Sequence, residues 1–556
     1  VDKYVIGLDF GTLSARALLV NVINGQEVAT AVSEYKHGVI QDYLPGSNTK
    51  LEDDWALQDP NDYLEAIYEI IPKVIREGHV KSEDIIGIGI DFTSCTILPI
   101  DKNGDPLCNK KEFRHDPHSW VKLWKHHAAQ YEADKLNKIA EKRNEPFLNL
   151  YGGKISSEWL IPKVMQIVDE SPKIYDAAYT FIEAGDWIVF KLTGVLNRNC
   201  CAAGFKAMWN DRLGFPSNEF LKELNPILEN FIGLKIKGDV VPIGARAGFL
   251  TKEMANKLGL TENTAVAVAS VDAHVAFPAV GASKKGDMVL IIGTSTCNIT
   301  ISDKEVLVPG ISGVVKDSVI PGYYGYEAGQ PAVGDIFDWY VKNCVPYNYY
   351  VEAQRKNLDI FDYLNEKASK LKPGDSGLIC LDWFNGNRST LVDANLSGLI
   401  LGLTLSTKPE EIYRSLIEAT AFGQKIIIDT FNEYGVTIDN LYACGGIAVK
   451  NSLLMQIYAD VLGINIKVSS SDQAVALGSA ILGAVAAGSK NGGYDSIEEA
   501  SEFMSAPFMK EYVPNKEYTE MYMDIFEEYR KLYNYFGKTN GVMKKLKKLT
   551  IGEKIH

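Results

Sequence analysis

One order of elements occurs twice in this chain. Tyr4–Phe10 reads as a strand, Gly11-Thr12-Leu13-Ser14 as a tight turn and Ala15–Val22 as a second strand; a helical pattern over Pro60–Arg76 and a strand over Ile85–Asp91 follow. The second half gives a strand at Met288–Ile292, the turn Gly293-Thr294-Ser295-Thr296 and a strand at Asn298–Ile301. Then come a long helix at Lys408–Glu433, a strand at Asn440–Cys444 and the turn Gly445-Gly446. Pro409, just after Ser406 and Thr407, suits a helix start, and Gly435 suits its stop. A hairpin followed by helix-and-strand units, given twice, restricts the chain to two similar α/β domains that face each other.

The join is expected near Val280–Gly286, where two glycines flank Lys284-Lys285. This predicts an N-terminal domain over residues 1–283, a C-terminal domain over 284–490 and a charged helical appendage over 491–556. Residues 101–245 exceed what the first repeat needs. Their Trp, His and helical stretches (Ser119–Arg143, Glu158–Asp169) read as an inserted layer that carries specificity. The 556-residue length agrees with two large domains.

Composition narrows the function. Lys and Arg number 57 against 71 Asp and Glu, a net charge of -14, which argues against a dedicated nucleic-acid binder. Eight cysteines, none spaced C-x-x-C, read as buried reduced thiols. No basic-then-apolar leader precedes Val5-Ile6-Gly7-Leu8-Asp9. The least polar stretch, Thr264–Ala282, carries Asp272, His274 and Pro278 and does not suit a lipid-spanning helix. A soluble cytoplasmic protein is expected.

Asp9-Phe10-Gly11-Thr12-Leu13-Ser14-Ala15-Arg16 places an acid at a strand end, then a small turn with two hydroxyls and an arginine. Backbone N–H groups, hydroxyls and guanidinium are the donors that phosphate oxygens need, and a strand-end carboxylate suits Mg²⁺. The Thr294 turn repeats that chemistry, so two turns could grip a polyphosphate from both sides. No G-x-x-x-x-G-K-[ST] occurs, Gly87-x-Gly89 lacks a third glycine, and no G-x-S-x-G elbow is present, which sets aside P-loop, dinucleotide-binding and hydrolase readings. What remains is a two-domain clamp on ATP. Gly445-Gly446 and Asn451, after a strand and before a helix, suit a planar base or ribose. Asp272 ends an apolar run, where desolvation raises a carboxyl toward the range of a general base; the plain alternative is a helix cap. His115, His118, His126 and His127 lack cysteine partners at metal spacing.

These residues resemble the FGGY carbohydrate kinases of the actin-like ATPase superfamily. The general likeness lies in Asp9–Arg16, Gly293–Thr296, Asp272 and Gly445–Asn451. A narrower likeness to the branch that phosphorylates L-ribulose lies in Gly153–Trp159, Ala203–Trp209, Tyr326–Gln330, Leu381–Ser389 and Asp91–Thr96. The resemblance implies two ribonuclease-H-like domains about a central cleft, with ATP and Mg²⁺ in the cleft and a ketopentose deeper in the first domain. Carried over, Asp272 is the base and Ser94, Lys206 and Glu327 contact the sugar. Thr12, Ser14, Arg16 and Thr294 line the phosphates, Gly334, Gly445, Gly446 and Asn451 hold the nucleoside, and Asp9 with Asp272 holds the metal. Asn210-Asp211-Arg212-Leu213-Gly214 departs from the family's usual run, and Asp338 stands where some members place an adenine-contacting Gln.

The implied reaction gives L-ribulose 5-phosphate in L-arabinose catabolism, with no nucleic acid or membrane as partner and a homodimer as an option. The same class with another sugar (D-ribulose, ribitol, L-arabinitol, xylulose) is the neighbouring reading. An actin- or chaperone-like ATPase is the distant one, and it would need neither the insertion nor Asp272.

Overall fold

A computed structural model describes residues 2–550. Two sheets share one strand order. In the first, Glu27–Glu34, Ser14–Asn21, Tyr4–Phe10, Ile85–Phe92 and Ala265–Ala267 lie side by side, with antiparallel Arg246–Phe249 at the edge. In the second, Tyr324–Gln330, Thr296–Ser302, Asp287–Ile292, Asn440–Cys444 and Ile466–Ser469 take the same places, with antiparallel Phe508–Tyr512 at one edge and an additional strand, Gly313–Lys316, at the other. Each begins as an antiparallel hairpin and turns parallel at its fourth strand. The duplicated order in the sequence is thus a duplicated topology.

Alternation along the central strand shows how the layers stack. Ile6, Leu8 and Phe10 face a core with Tyr63, Ile67, Ile70 and Val74 of the helix Pro60–Glu77 and with Trp187 and Ile188 of Ala184–Thr193. Val5 faces the opposite way, into a core shared with Val289, Ile299 and Ile301 of the second sheet. Between the sheets lie the helices Asp272–Ala279 and Ala474–Ala487, whose small residues let backbones approach closely. The far face of the second sheet packs on Pro409–Glu433 and Ser452–Leu462.

Glycines make the middle layer possible. A Cβ on Gly89 would lie 1.7 Å from the Ser479 carbonyl oxygen, and one on Gly7 would lie 1.9 Å from that of Ala476. The obstacle is helix backbone, which cannot swing aside as a side chain can. Gly89→Ala is therefore expected to lower stability by about 3 kcal/mol or more, at the upper end of overpacking effects. Urea unfolding measures it, and an unchanged midpoint would contradict this packing.

Three expectations change. The helix expected over Ser119–Arg143 is confined to Gln130–Arg143, because Val121–Lys122 is extended and pairs with Leu57–Gln58 and Ile97. Residues 101–245 are not one separate layer, since Ala184–Thr193 belongs to the first core. The segment after 490 is not an appendage: Phe508–Tyr512 is the edge strand of the second sheet, and Lys516–Asn534 buries Tyr522, Phe526, Tyr529 and Tyr533 at helical spacing. Tyr529 donates to buried Asp382 at 2.8 Å. Cys344 is exposed and Cys297 half-buried; the other six thiols are buried. No helix among the described residues is long and apolar enough to cross a membrane.

Candidate active site

The first strand and its parallel neighbour carry the same Gly-x-Asp-Phe pattern, Gly7-Leu8-Asp9-Phe10 and Gly89-Ile90-Asp91-Phe92, in register. The glycines meet the middle helix, the phenylalanines stack at 4.8 Å, and the carboxyls of Asp9 and Asp91 come together at the strand ends. Ser270 pairs with Asp91, which brings Asp272 to the same end two residues later. Three carboxyl groups therefore meet where the strands stop.

Their electrostatics follow from that crowding. Burial pushes the Asp272 carboxyl up to about 7, against the Ala273 N–H that donates to Oδ1 at 2.7 Å, and the charges of Asp9 and Glu327 add to the rise. Burial raises Asp9, opposed by the neighbouring Asp91 carboxyl and by Arg16 on the paired strand. Burial and then the Asp9 charge raise Asp91 well above the usual carboxylate range. Ser479 of the middle helix donates to Asp91 Oδ2 at 2.5 Å, while Asp91 Oδ1 is enclosed without a partner.

Beside this group, Lys206 from the short helix Cys200–Ala207 reaches Glu327 on the second sheet, with Nζ 3.1 and 3.2 Å from the two carboxylate oxygens. Both side chains are about nine-tenths buried. Burial alone would raise Glu327, but Lys206 and His274 hold it at about 2; the same partnership overcomes burial at Lys206 and keeps its ammonium charged. The pair joins elements 121 residues apart, from the insertion and the second sheet. Trp159 lies beneath the ammonium, 5.9 Å from its ring centre. Ser94 is half-buried in the turn after Phe92; the next residue, Cys95, accepts from buried Lys163 at 2.5 Å.

Thr12 lies in the first hairpin turn and Ser14 and Arg16 in the strand that follows it; Gly11 N–H closes the turn by donating to the Ser14 carbonyl at 3.0 Å. Thr12 is held from two sides that the sequence did not reveal: Gln58 donates to its carbonyl at 2.6 Å and Trp124 to its hydroxyl at 3.1 Å. Thr294 is exposed on the matching turn of the second sheet. Its carbonyl accepts from Val333 at 2.8 Å, and the Gly293 carbonyl accepts from Gly334 at 3.1 Å. A Cβ on Gly334 would lie 2.5 Å from Ile447 Cδ1, and one on Gly445 would lie 2.5 Å from the Ile292 carbonyl. Gly445 has φ +96°, and nothing stands within 4 Å of a Cβ on Gly446. Thr294, Gly334, Gly445 and Gly446 are thus gathered at one end of the second sheet, with Gly334 and Gly445 packed tightly and Gly446 open.

Asn451 is differently placed. It caps the helix Ser452–Leu462 by accepting from Leu454 N at 3.0 Å, and its amide lies 3.5 Å from the Tyr413 hydroxyl. Of the histidines set aside for zinc, His118 and His126 are buried and meet Trp55 edge-on, each at 4.9 Å, while His115 and His127 are exposed. Asp338 pairs with Lys342 at 2.6 Å on the surface.

Duplicated sheets with hydroxyl-bearing hairpin ends, and three carboxyl groups beside a buried Lys–Glu pair, fit a two-lobed ATP-dependent sugar kinase of the actin-like fold. The chain belongs to the FGGY family of carbohydrate kinases: residues 4–279 match its N-terminal domain and residues 288–487 its C-terminal domain. It is 57% identical over 537 residues to the ribulokinase of Bacillus licheniformis, covering 97% of each chain. It is 54% identical to that of Halalkalibacterium halodurans, over 98% of this chain and 97% of the other. Among solved structures it is similar to the ligand-bound xylulose kinase of Lactobacillus acidophilus (TM-score 0.77, 20% identity, 97% and 99% coverage). It is also similar to Plasmodium falciparum glycerol kinase with ADP (TM-score 0.75, 16% identity, 95% and 98% coverage). Family membership excludes the actin- or chaperone-like reading.

Proposed function

We propose that the chain transfers the γ-phosphoryl group of ATP to the terminal hydroxyl of L-ribulose, giving L-ribulose 5-phosphate for L-arabinose catabolism. The ribulokinase relatives support the sugar. The observation that carries the chemistry is Asp272, a carboxyl raised to about 7 between the Asp9–Asp91 pair and the Lys206–Glu327 pair.

Asp272 takes the proton from the attacking hydroxyl as that oxygen approaches the γ-phosphorus; the bond to ADP breaks, and the proton stays on the carboxyl until release. A polyol offers only hydroxyls and a carbonyl, so it needs donors and acceptors at close range. Lys206 and Glu327 supply both, and Ser94 adds a hydroxyl. Thr12, Ser14, Arg16 and Thr294 receive the phosphates. Gly334, Gly445 and Gly446 leave room for the nucleoside, with the Asn451 amide at its edge.

The strand-end carboxyls suit Mg²⁺, a hard cation that takes oxygen ligands. Asp9 and Asp272 would hold it, and the enclosed, unpartnered Asp91 oxygen marks a group short of positive charge. Bound there, Mg²⁺ would neutralise charge on the phosphate oxygens. The domain division proposed is a sugar-binding N-terminal domain to about residue 283 and a nucleotide-binding C-terminal domain thereafter, which the last strand and helix complete. The reading places the enzyme in the cytoplasm, involves no nucleic acid and leaves a homodimer open.

A coupled ADP-release assay over L-ribulose, D-ribulose, ribitol, L-arabinitol and xylulose tests it. L-Ribulose is expected to give the highest kcat/KM. Turnover with another sugar and none with L-ribulose would reassign the substrate.

A further inference from the structure

His274 stands two residues beyond Asp272, in surroundings that give it a specific place. Its side chain is 1% exposed. The ring packs against Phe205, centroids 4.6 Å apart and tilted by 40°. Nε2 points to Glu327 Oε2 at 3.5 Å, and both ring nitrogens are enclosed without a hydrogen-bond partner. An imidazole sealed in this way is costly unless a partner comes into reach. The nearest acceptor is the carboxylate that Lys206 already grips by both oxygens.

We propose that His274 is a positioning residue for sugar recognition: it holds Glu327 Oε2 by its Nε2–H and leaves Oε1 to a hydroxyl of the ketopentose. This rests on the reading of Lys206 and Glu327 as sugar contacts. Lys206 alone cannot distinguish the two carboxylate oxygens, because it sits almost equally close to both. A sugar hydroxyl that competes for the ammonium would loosen that fork, and a shift of a few tenths of an ångström toward His274 would then satisfy the ring. Phe205, on the same short helix as Lys206, packs against the imidazole at a tilt of 40° and ties it to the element that carries the ammonium.

Steady-state kinetics of His274→Phe and His274→Gln test the proposal, with Glu327→Gln as reference. His274→Phe keeps a ring against Phe205 and removes the donor; it is expected to raise KM for L-ribulose about 10- to 50-fold, change kcat less than about threefold and leave KM for ATP unaltered. His274→Gln keeps a donor and is expected to restore most of the loss. Unchanged sugar KM in His274→Phe, with a raised KM in Glu327→Gln, overturns the proposal alone. Equal damage in both His274 variants, with a matching fall in Tm, assigns the ring to packing and also overturns it. Unchanged sugar KM in Glu327→Gln overturns the underlying site reading, and the proposal with it.

Discussion

Asp272→Asn is expected to lower kcat for L-ribulose phosphorylation about 10³-fold, within the range attributed to a positioned general base. Nucleotide affinity, measured by calorimetry, should stay within a few-fold. The amide keeps the size of the carboxyl and can still accept from Ala273 N–H, so the start of the helix Asp272–Ala279 is retained. What is lost is the group that receives the proton. The same assignment fixes a pH dependence. A base acts when ionised, and burial raises this one to about 7, so kcat/KM for the sugar should be full above about pH 8 and fall about tenfold per unit below pH 7. Glu327, held at about 2, and His274, pushed down by burial to about 4, keep their charge states across that range. The limb therefore belongs to neither, and the residual activity of Asp272→Asn should lack it. Near-normal turnover in the variant would remove Asp272 from the role.

Lys206→Ala has the second large effect, and it acts on two observables. Losing a hydrogen bond to a charged group weakens binding by about 1.5–3 kcal/mol, or about 10- to 150-fold in sugar KM. It also leaves Glu327 buried without its cation, and breaking such a pair costs about 3–5 kcal/mol. Nucleotide binding, assigned in the proposal to the Gly293–Thr294 and Gly445–Gly446 turns, should be nearly untouched. Lys206→Ala combined with Glu327→Gln should regain much of the lost stability and none of the sugar affinity, because the second change removes the stranded charge. Equal loss of sugar and nucleotide affinity in the single variant would show that the pair only holds the lobes together.

The hairpins, the long helix and the turn at Gly445 were legible because alternation, hydroxyl-rich turns and glycine stops are local signals. The Asp9 and Thr294 turns came from that pattern, as did Asp272. Lys206 and Glu327 came from resemblance. Their partnership spans 121 residues, and Lys206 sits in a run of small residues with no charge pattern to advertise it. Asp91 was overlooked within an otherwise apolar strand. Its signal was the repeated Gly-x-Asp-Phe, which acquires meaning only once the two strands lie in register. The C-terminal segment was misjudged because its many charges hide the spacing of Tyr522, Phe526, Tyr529 and Tyr533, which seats the helix in the second core. Asn451 stands at the expected place and serves as a helix cap, a use that residue type and position alone do not separate from nucleoside binding.

The most direct measurement is a crystal structure of the complex with L-ribulose and a non-hydrolysable ATP analogue. The terminal hydroxyl oxygen should lie about 2.6–3.2 Å from an Asp272 carboxylate oxygen, on the side facing the γ-phosphorus. A hydroxyl that instead contacts another base, with Asp272 more than about 5 Å away, lies beyond hydrogen-bond reach and would contradict the assignment of Asp272 as the group that activates the sugar.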